Sequence, residues 1–418
     1  MVSIPEWIIA SCENGNPSSC YTLQLLKGFN LEHVVIELTR KCLWSCLHCS
    51  AESSTNIDTL NELTFKEVKK IVDNCYRIGC RSFVFSGGEP FLKLDTLYNI
   101  VTYIKECLSN CKVRIHSQIA PYLLRNNPMV KKILDYVDNV SISIYSLNSE
   151  KHDWFTKSRN SLRLTLETIN WYRDLEIDFE VYIVPMSWNV SELHRIIKTL
   201  YELHEVEKFR ILWLQPSGRL KDLKLYAKFK PSVLQLLKSL RKIIDLLGNE
   251  VISFGCCTMI QLFKTYRILE STDRKLARYY DTVFNRIYYC WRKDHLICKA
   301  GISKLHIDAE GNVYPCTGSS GYPQLRIGNV RKLDYNIAKI WHENKVLRKY
   351  REFFTNPPYP CKLRNGTYWY SWLCGYFYEC FTGCKAFKTG IYGSPFIPDL
   401  SCPFVQKELK LRNHIFLT

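Results

Sequence analysis

Between residue 31 and about residue 225, short apolar runs alternate with amphipathic segments, and this alternation leaves few folds open to the chain. The apolar runs predict strands at Val34–Leu38, Ser82–Phe85, Lys112–Ile115, Val140–Tyr145, Phe179–Val184 and Phe209–Leu214. Between them the spacing predicts helices over Phe65–Ile78, Thr96–Leu108, Met129–Tyr136, Leu162–Asp174 and Ser191–Leu203. The first of these starts at Thr64-x-x-Glu67, a capping box, and stops before Gly79, a residue suited to a helix C-terminus. Strands joined through helices pair in parallel, because the crossover returns the chain to the same end of the sheet. Eight such repeats close a barrel. Six predict an α/β fold with an open, partial (β/α)6 TIM-like barrel, whose missing wall admits a large substrate.

The rest of the chain follows a different pattern. Residues 1–30 form an N-terminal extension, 31–225 the barrel, and 226–289 a helical bridge. In that bridge Val233, Leu236, Leu240, Ile243 and Leu247 recur at helical spacing and stop at Gly248. From Cys290 onward, cysteine, glycine, proline and aromatic residues replace long periodic segments. Residues 290–418 therefore read as a small cysteine-rich domain organised by metal rather than by a large apolar core. No apolar stretch approaches the roughly 20 residues of a membrane span, and the N-terminus lacks the pattern of a secretion signal. Nineteen cysteines then point to metal ligation in a reducing cytoplasm, not to disulfides. The formal charge of +17 suits an anionic partner. Its basic residues are dispersed, however, and read as solvated surface rather than as a nucleic-acid stripe.

Two motifs fall at predicted strand ends, where α/β barrels keep their chemistry. Cys42, Cys46 and Cys49 follow the first strand in Cys-Leu-Trp-Ser-Cys-Leu-His-Cys. Three thiolates on one loop can hold three irons of a cubane cluster and leave the fourth iron open to a small molecule. A zinc knuckle is the competing reading, although zinc sites usually set their cysteines in two pairs. Phe85-Ser-Gly-Gly-Glu-Pro90 follows the second strand. Its adjacent glycines permit close backbone approach, and Glu89 adds a carboxylate able to hold an ammonium group.

These residues resemble the radical S-adenosylmethionine (radical SAM) superfamily, over residues 34 to about 220. The resemblance implies that Cys42, Cys46 and Cys49 bind a 4Fe–4S cluster and that His48 lies near the adenine of SAM. It also implies that Gly87, Gly88, Glu89 and Pro90 grip the methionyl amine, that Ser143 contacts SAM, and that Leu214 and Gln215 line the adenine side. Tyr145 and Ser146 stand where the family often has Asp-Gly.

The C-terminal cysteines resemble the SPASM extension of such enzymes. Cys298 is followed after twelve residues by Gly311 and after four more by Cys316, and Cys374, Cys380, Cys384 and Cys402 follow in the family's order. The resemblance implies two auxiliary 4Fe–4S clusters, one on Cys290, Cys298, Cys316 and Cys384, the other on Cys361, Cys374, Cys380 and Cys402. Twelve residues separate Cys361 from Cys374 where the family has two. Either the aromatic insertion Tyr368, Trp369, Tyr370 and Trp372 lengthens that loop, or Cys361 is not a ligand. Cys12, Cys20, Cys75, Cys80, Cys107, Cys111, Cys256 and Cys257 receive no role.

The implied activity is reductive cleavage of SAM to a 5′-deoxyadenosyl radical that oxidatively modifies a peptide or protein side chain. An electron donor such as ferredoxin or flavodoxin would serve it. The alternative is small-molecule cofactor biosynthesis of the haem-precursor type, with an anionic substrate. Thr317, Gly318 and Ser319 follow Cys316, so the acidic base of sulfatase-maturing relatives is missing from that position.

Overall fold

The computed structural model describes residues 28–248, 250–294, 298–355, 360–362, 368–370 and 383–395. The predicted strands form at β1 His33–Thr39, β2 Ser82–Gly87, β3 Lys112–His116, β4 Asn139–Ser143, β5 Phe179–Ile183 and β6 Phe209–Ile211. The helices between them are α1 Phe65–Arg77, α2 Leu94–Cys107, α3 Pro128–Tyr136, α4 Ser149–Thr156, α5 Ser161–Asp174 and α6 Leu193–His204. The capping box is complete: Thr64 accepts from the Glu67 N–H, and the Glu67 carboxylate accepts from the Thr64 N–H.

Two further parallel strands flank these six, β7 Ile252–Phe254 beyond β6 and β8 Lys304–Ile307 beside β1. The sheet runs β10-β9-β8-β1-β2-β3-β4-β5-β6-β7, where β9 is Asn312–Tyr314 and β10 is Gly328–Asn329. Among the described residues no ladder joins β7 to β8, so the barrel stays open. Both extra strands escape a pattern reading because each has only three or four residues. The cysteine-rich region is thus built onto the barrel: β8 pairs with β1 from His33–Lys304 to Ile36–Ile307 and then turns back as the β8–β9 hairpin. Residues 226–294 hold α7 Val233–Leu247, capped by Ser232, then β7, α8 Cys256–Thr272 and α9 Asp281–Asp294, so the bridge adds a strand to the sheet and its last helix runs past residue 289.

Strand side chains alternate between two faces. Val34, Ile36, Phe83, Phe85, Val113, Ile115 and Val140 are buried in the core that the helices cover. The alternate residues, including Glu37, Arg114, His116, Ser141, Tyr182, Arg210 and His306, face the other way into the barrel. The two faces therefore divide apolar packing from polar chemistry.

Arg331 helps tie the cysteine-rich region to the barrel from outside. Arg331 donates to both Glu67 oxygens, at 2.6 and 3.1 Å, and to the carbonyls of Asn61 and Glu62. That hydrogen bonding holds the Glu67 carboxyl well below the usual carboxylate range. A depressed carboxyl contributes stability that is present above its unfolded pKa and lost as the pH falls through its folded one. Arg331→Ala is expected to cost about 1–2 kcal/mol near pH 7, given charge-assisted bonds at a partly exposed site. Thermal unfolding of the variant and parent should converge as the pH is lowered below the carboxylate range; a gap that stays constant would remove the role assigned to this pair.

Candidate functional site

The loop after β1 is held from four directions. Gly88 N–H donates to Thr39 O at 2.7 Å, and Glu89 N–H to Lys41 O at 2.9 Å. Cys42 N–H donates to Ser54 O, while Ser45 and Leu47 N–H groups donate to Thr156 O and Phe155 O at the end of α4. Arg219, after β6, donates through its guanidinium to Cys46 O at 2.9 Å and Ser53 O at 2.5 Å, and through its N–H to Cys49 O. Cys42, Cys46 and Cys49 are thereby fixed on one short loop at the C-terminal ends of β1 and β2.

The glycines of the two flanking turns are there for this loop. A Cβ on Gly88 would lie 2.2 Å from Lys41 O, and one on Gly87, at φ +125°, would lie 2.2 Å from Thr39 O. A Cβ on Gly218, at φ +57°, would lie 2.2 Å from Cys49 O. No L side chain fits such contacts. The close approach that the glycines permit is therefore to the cysteine loop itself.

Glu89 is likewise committed to the framework. Its carboxylate accepts from Ser117 Oγ at 2.7 Å, Gln118 N–H at 2.8 Å and Phe91 N–H at 3.2 Å. Burial raises its pKa against the pull of these bonds. A direct grip on an ammonium group, as expected from sequence, would compete with three partners already in place. What Glu89 does here is fix the turn that Pro90 opens. The network continues across the strand ends, because Gln118 Oε1 accepts from the Ser143 N–H at 3.2 Å.

An aromatic wall stands beside the loop. His48 lies 5.1 Å from Tyr145 and 5.0 Å from Phe155, ring to ring, and Tyr145 lies 4.7 Å from Phe155. Burial, reinforced by the Arg219 charge, pushes the His48 pKa down to about 4, so its ring is neutral at pH 7. His48 Nδ1 and Gln215 Oε1 are buried without a hydrogen-bond partner, and Leu214, next to Gln215 in sequence, is buried. Orphaned buried polar atoms of this kind fit a polar ligand.

The three thiols fit a cluster as well. Burial raises Cys46 and pushes Cys42 up to about 12, with Glu89 adding to the latter. As thiolates they need positive charge, which iron would supply. Trp44 N–H donates to Cys42 Sγ at 3.5 Å, a contact that tunes cluster potentials.

Three C-terminal cysteines form a second group: Cys298 feels the charge of Cys384 and Cys316, and Cys316 that of Cys384. Tyr322 donates to Pro216 O at 2.7 Å, in the same post-β6 segment that carries Arg219. The helix Lys385–Tyr392 packs there too, since a Cβ on Gly390 would meet Tyr322 and Pro216. One segment, Pro216–Arg219, thus touches the first cysteine loop and the segments that follow Cys316 and Cys384.

The remaining expected ligands are less fully described. Cys290 sits on α9 and Cys361 on the strand Pro360–Lys362, where it pairs with Trp369 in a two-stranded ribbon with Tyr368–Tyr370. Tyr368, Trp369 and Tyr370 of the aromatic insertion are therefore strand residues, and Trp372 lies outside the described residues. Cys374, Cys380 and Cys402 lie outside the described residues, as do Cys12 and Cys20. Ser117 and Gln118 were not singled out as site residues from sequence, although a polar pair directly after a buried strand was an available signal, and the stretch Leu214–Arg219 was read only as lining the adenine side, not as the support of the cysteine loop.

Comparison with known proteins agrees with this geometry. The radical SAM superfamily model matches residues 36–200, and the SPASM iron–sulfur cluster-binding domain matches residues 298–364. The chain is 25% identical to the AdoMet-dependent heme synthase of Methanosarcina barkeri over 84% of its own length and 90% of that protein's. It is 25% identical to the PqqA peptide cyclase of Bradyrhizobium diazoefficiens, over 79% of this chain and 78% of the cyclase. Its fold matches that of Streptococcus suis SuiB bound to precursor peptide SuiA with a TM-score of 0.64 at 16% identity, over 94% of this chain and 80% of SuiB. Residues 36–200 carry a radical SAM domain and residues 298–364 a SPASM iron–sulfur domain. The chain is an enzyme of that kind, using 4Fe–4S clusters and SAM.

The tightest steric demand in the site gives a direct check. Gly218→Ala should displace Cys49 and lose about four irons per chain on anaerobic reconstitution, the content of one cubane. The thermal transition of the metal-free protein should fall as well. Full iron content in the variant would show that this contact does not hold the loop.

Proposed function

We propose that this enzyme oxidatively modifies a peptide or protein side chain by hydrogen abstraction at the mouth of the open barrel. The observation that carries the reading is the backbone clasp between the Cys42–Cys49 loop and the Gly87–Pro90 turn, which sets the three thiols beside the Gly-Gly-Glu-Pro turn. Cys42, Cys46 and Cys49 would hold three irons and leave one open. The turn of Gly87, Gly88, Glu89 and Pro90 would present its backbone to the methionyl amine, with Ser143 beside it on β4. His48, a neutral ring on an aromatic wall, would face the adenine, and Leu214 and Gln215 would close the adenine side. With cluster and SAM bound, one electron yields methionine and a 5′-deoxyadenosyl radical able to take a hydrogen atom from an unactivated C–H bond. The protein's share is positioning and exclusion of water.

Cys298, Cys316 and Cys384, with the other C-terminal cysteines, would hold two auxiliary clusters that carry the substrate electron away. A ferredoxin or flavodoxin would deliver the initiating electron. The cyclase relative supports a peptide substrate, and among the described residues no ladder closes the sheet between β7 and β8. No helix among the described residues is long and apolar enough to cross a membrane.

A second reading has its own observation. His116 inside the barrel is pushed down to about 3 by burial and by the charges of Lys304, Arg210 and Arg114. Three cations converging on one interior position suit a carboxylate-rich small molecule, as in haem-precursor chemistry, and the heme synthase relative points the same way.

Anaerobic reconstitution should give about twelve irons per chain, three cubanes, and dithionite should then release 5′-deoxyadenosine from SAM. About four irons would remove the auxiliary clusters, and absence of 5′-deoxyadenosine would remove the radical chemistry. Arg114→Gln separates the substrate readings. With a polycarboxylate substrate, KM should rise by about tenfold or more, the worth of one charge-assisted bond, while substrate-free SAM cleavage stays unchanged. An unchanged KM would leave the peptide reading standing.

A further inference from the structure

Trp154 leaves its indole half exposed, at 48%, on α4, the helix whose last two carbonyls hold the cysteine loop. Its ring is the outermost of a packed series. It lies 6.3 Å from the buried ring of Phe155, which lies 5.0 Å from His48, the chain neighbour of Cys49. The aromatic wall beside the loop thus has a second end, at the surface. That end is firmly built. Trp154 stacks on Phe229 at 6.2 Å with 19° between the ring planes, and meets Trp188 edge-on at 5.9 Å. Ser187 ties these two supports together, its N–H donating to Phe229 O at 2.9 Å and its hydroxyl to Lys228 O at 2.6 Å. Other exposed rings, Tyr279 and Tyr289, stand against Arg241 and Arg286 instead.

The rim of this platform is basic. Lys157 Nζ lies 5.9 Å from the centre of the Trp154 ring, and the helix Leu223–Phe229 adds the exposed Lys224 and Lys228. Among the described residues no carboxylate pairs with these three, whereas Lys151 and Lys221 are paired with Glu192 and Glu52. The neighbouring acids are already engaged. Asp153 accepts from Asn160 N–H, Ser161 Oγ and Leu162 N–H, and Asp222 caps its helix through Leu225 N–H. Glu150 stands at the opposite end of α4 from Lys157.

We propose that this platform docks a flavodoxin, an acidic one-electron carrier, so that the initiating electron enters beside Trp154 and Phe155. The proposal rests on the reading that an external carrier reduces the cluster of Cys42, Cys46 and Cys49, and it names the surface and the carrier. Unpaired lysines around the platform suit an acidic partner and would steer its approach. A flavodoxin holds its flavin in a crevice outside the strand ends, where a flat ring can meet an exposed indole. The step balances without a bond or a proton moving: the carrier is oxidised by one electron and the cluster is reduced by one.

The test uses the full, reconstituted chain and SAM alone, with flavodoxin reduced through its NADPH-dependent reductase as the electron source. Trp154→Ala, and separately Lys157→Glu with Lys228→Glu, should raise the flavodoxin concentration that half-saturates 5′-deoxyadenosine release by about tenfold. Calorimetry should show the same loss in flavodoxin affinity, and added salt should weaken the parent's binding more than that of the lysine variant. Iron content and dithionite-driven release should not change. Unaltered carrier affinity and half-saturation in both variants, as for a platform that seats a substrate peptide, would overturn the proposal. An equal loss with dithionite would do so as well, because it marks a structural defect. The lysine pair is exposed, so it decides the matter even where Trp154→Ala fails to fold. A parent enzyme that responds to dithionite or ferredoxin but not to flavodoxin would overturn the choice of carrier. Absence of 5′-deoxyadenosine with every donor would instead remove the radical reading, a distinct result.

Discussion

Three carbonyl oxygens of the cysteine loop, on Thr39, Lys41 and Cys49, are each met at the distance of direct backbone contact by a glycine from another segment. Gly87 and Gly88 come from the turn after β2, and Gly218 from the loop after β6. A side chain at any of them would drive the loop outward, and the thiols of Cys42, Cys46 and Cys49 with it. The rest of the site is arranged around this clasp. Glu89 spends its carboxylate on Ser117, Gln118 and Phe91 so that the Gly-Gly turn stays in place. Arg219 spends its guanidinium on Cys46 and Ser53 carbonyls so that the third side stays closed.

The barrel was legible because its strands are buried runs and its helices have caps that can be read locally. Thr64 and Glu67 mark the start of α1 in sequence and make the expected bonds in the structure. The two strands that pattern reading omits, β7 and β8, take their stability from neighbours rather than from composition. The cysteine loop and the Gly-Gly-Glu-Pro turn were legible as motifs, but their mutual contact was not. Glycine signals close approach without saying what approaches, and here it is another loop. A buried carboxylate such as Glu89 likewise advertises charge in sequence, while only the fold shows that its partners are N–H groups. Arg219 lies about 170 residues from the loop it holds, and no local pattern carries that information.

The auxiliary region shares its sheet and its contacts with the barrel. β8 continues the parallel sheet past β1, and Tyr322 reaches the segment that also bears Gly218 and Arg219. Pro216–Arg219 thus joins the first cysteine loop to the segments that follow Cys316 and Cys384.

The central claim is that the Cys42–Cys46–Cys49 loop presents one iron without a protein ligand and that SAM binds it. Paramagnetic resonance of the dithionite-reduced, fully reconstituted enzyme, recorded with and without SAM, tests this most directly. One cluster's signal should shift on adding SAM while the others stay fixed, and Cys46→Ala should abolish the shifting component alone. A spectrum indifferent to SAM, or a shift that survives Cys46→Ala, would contradict the account.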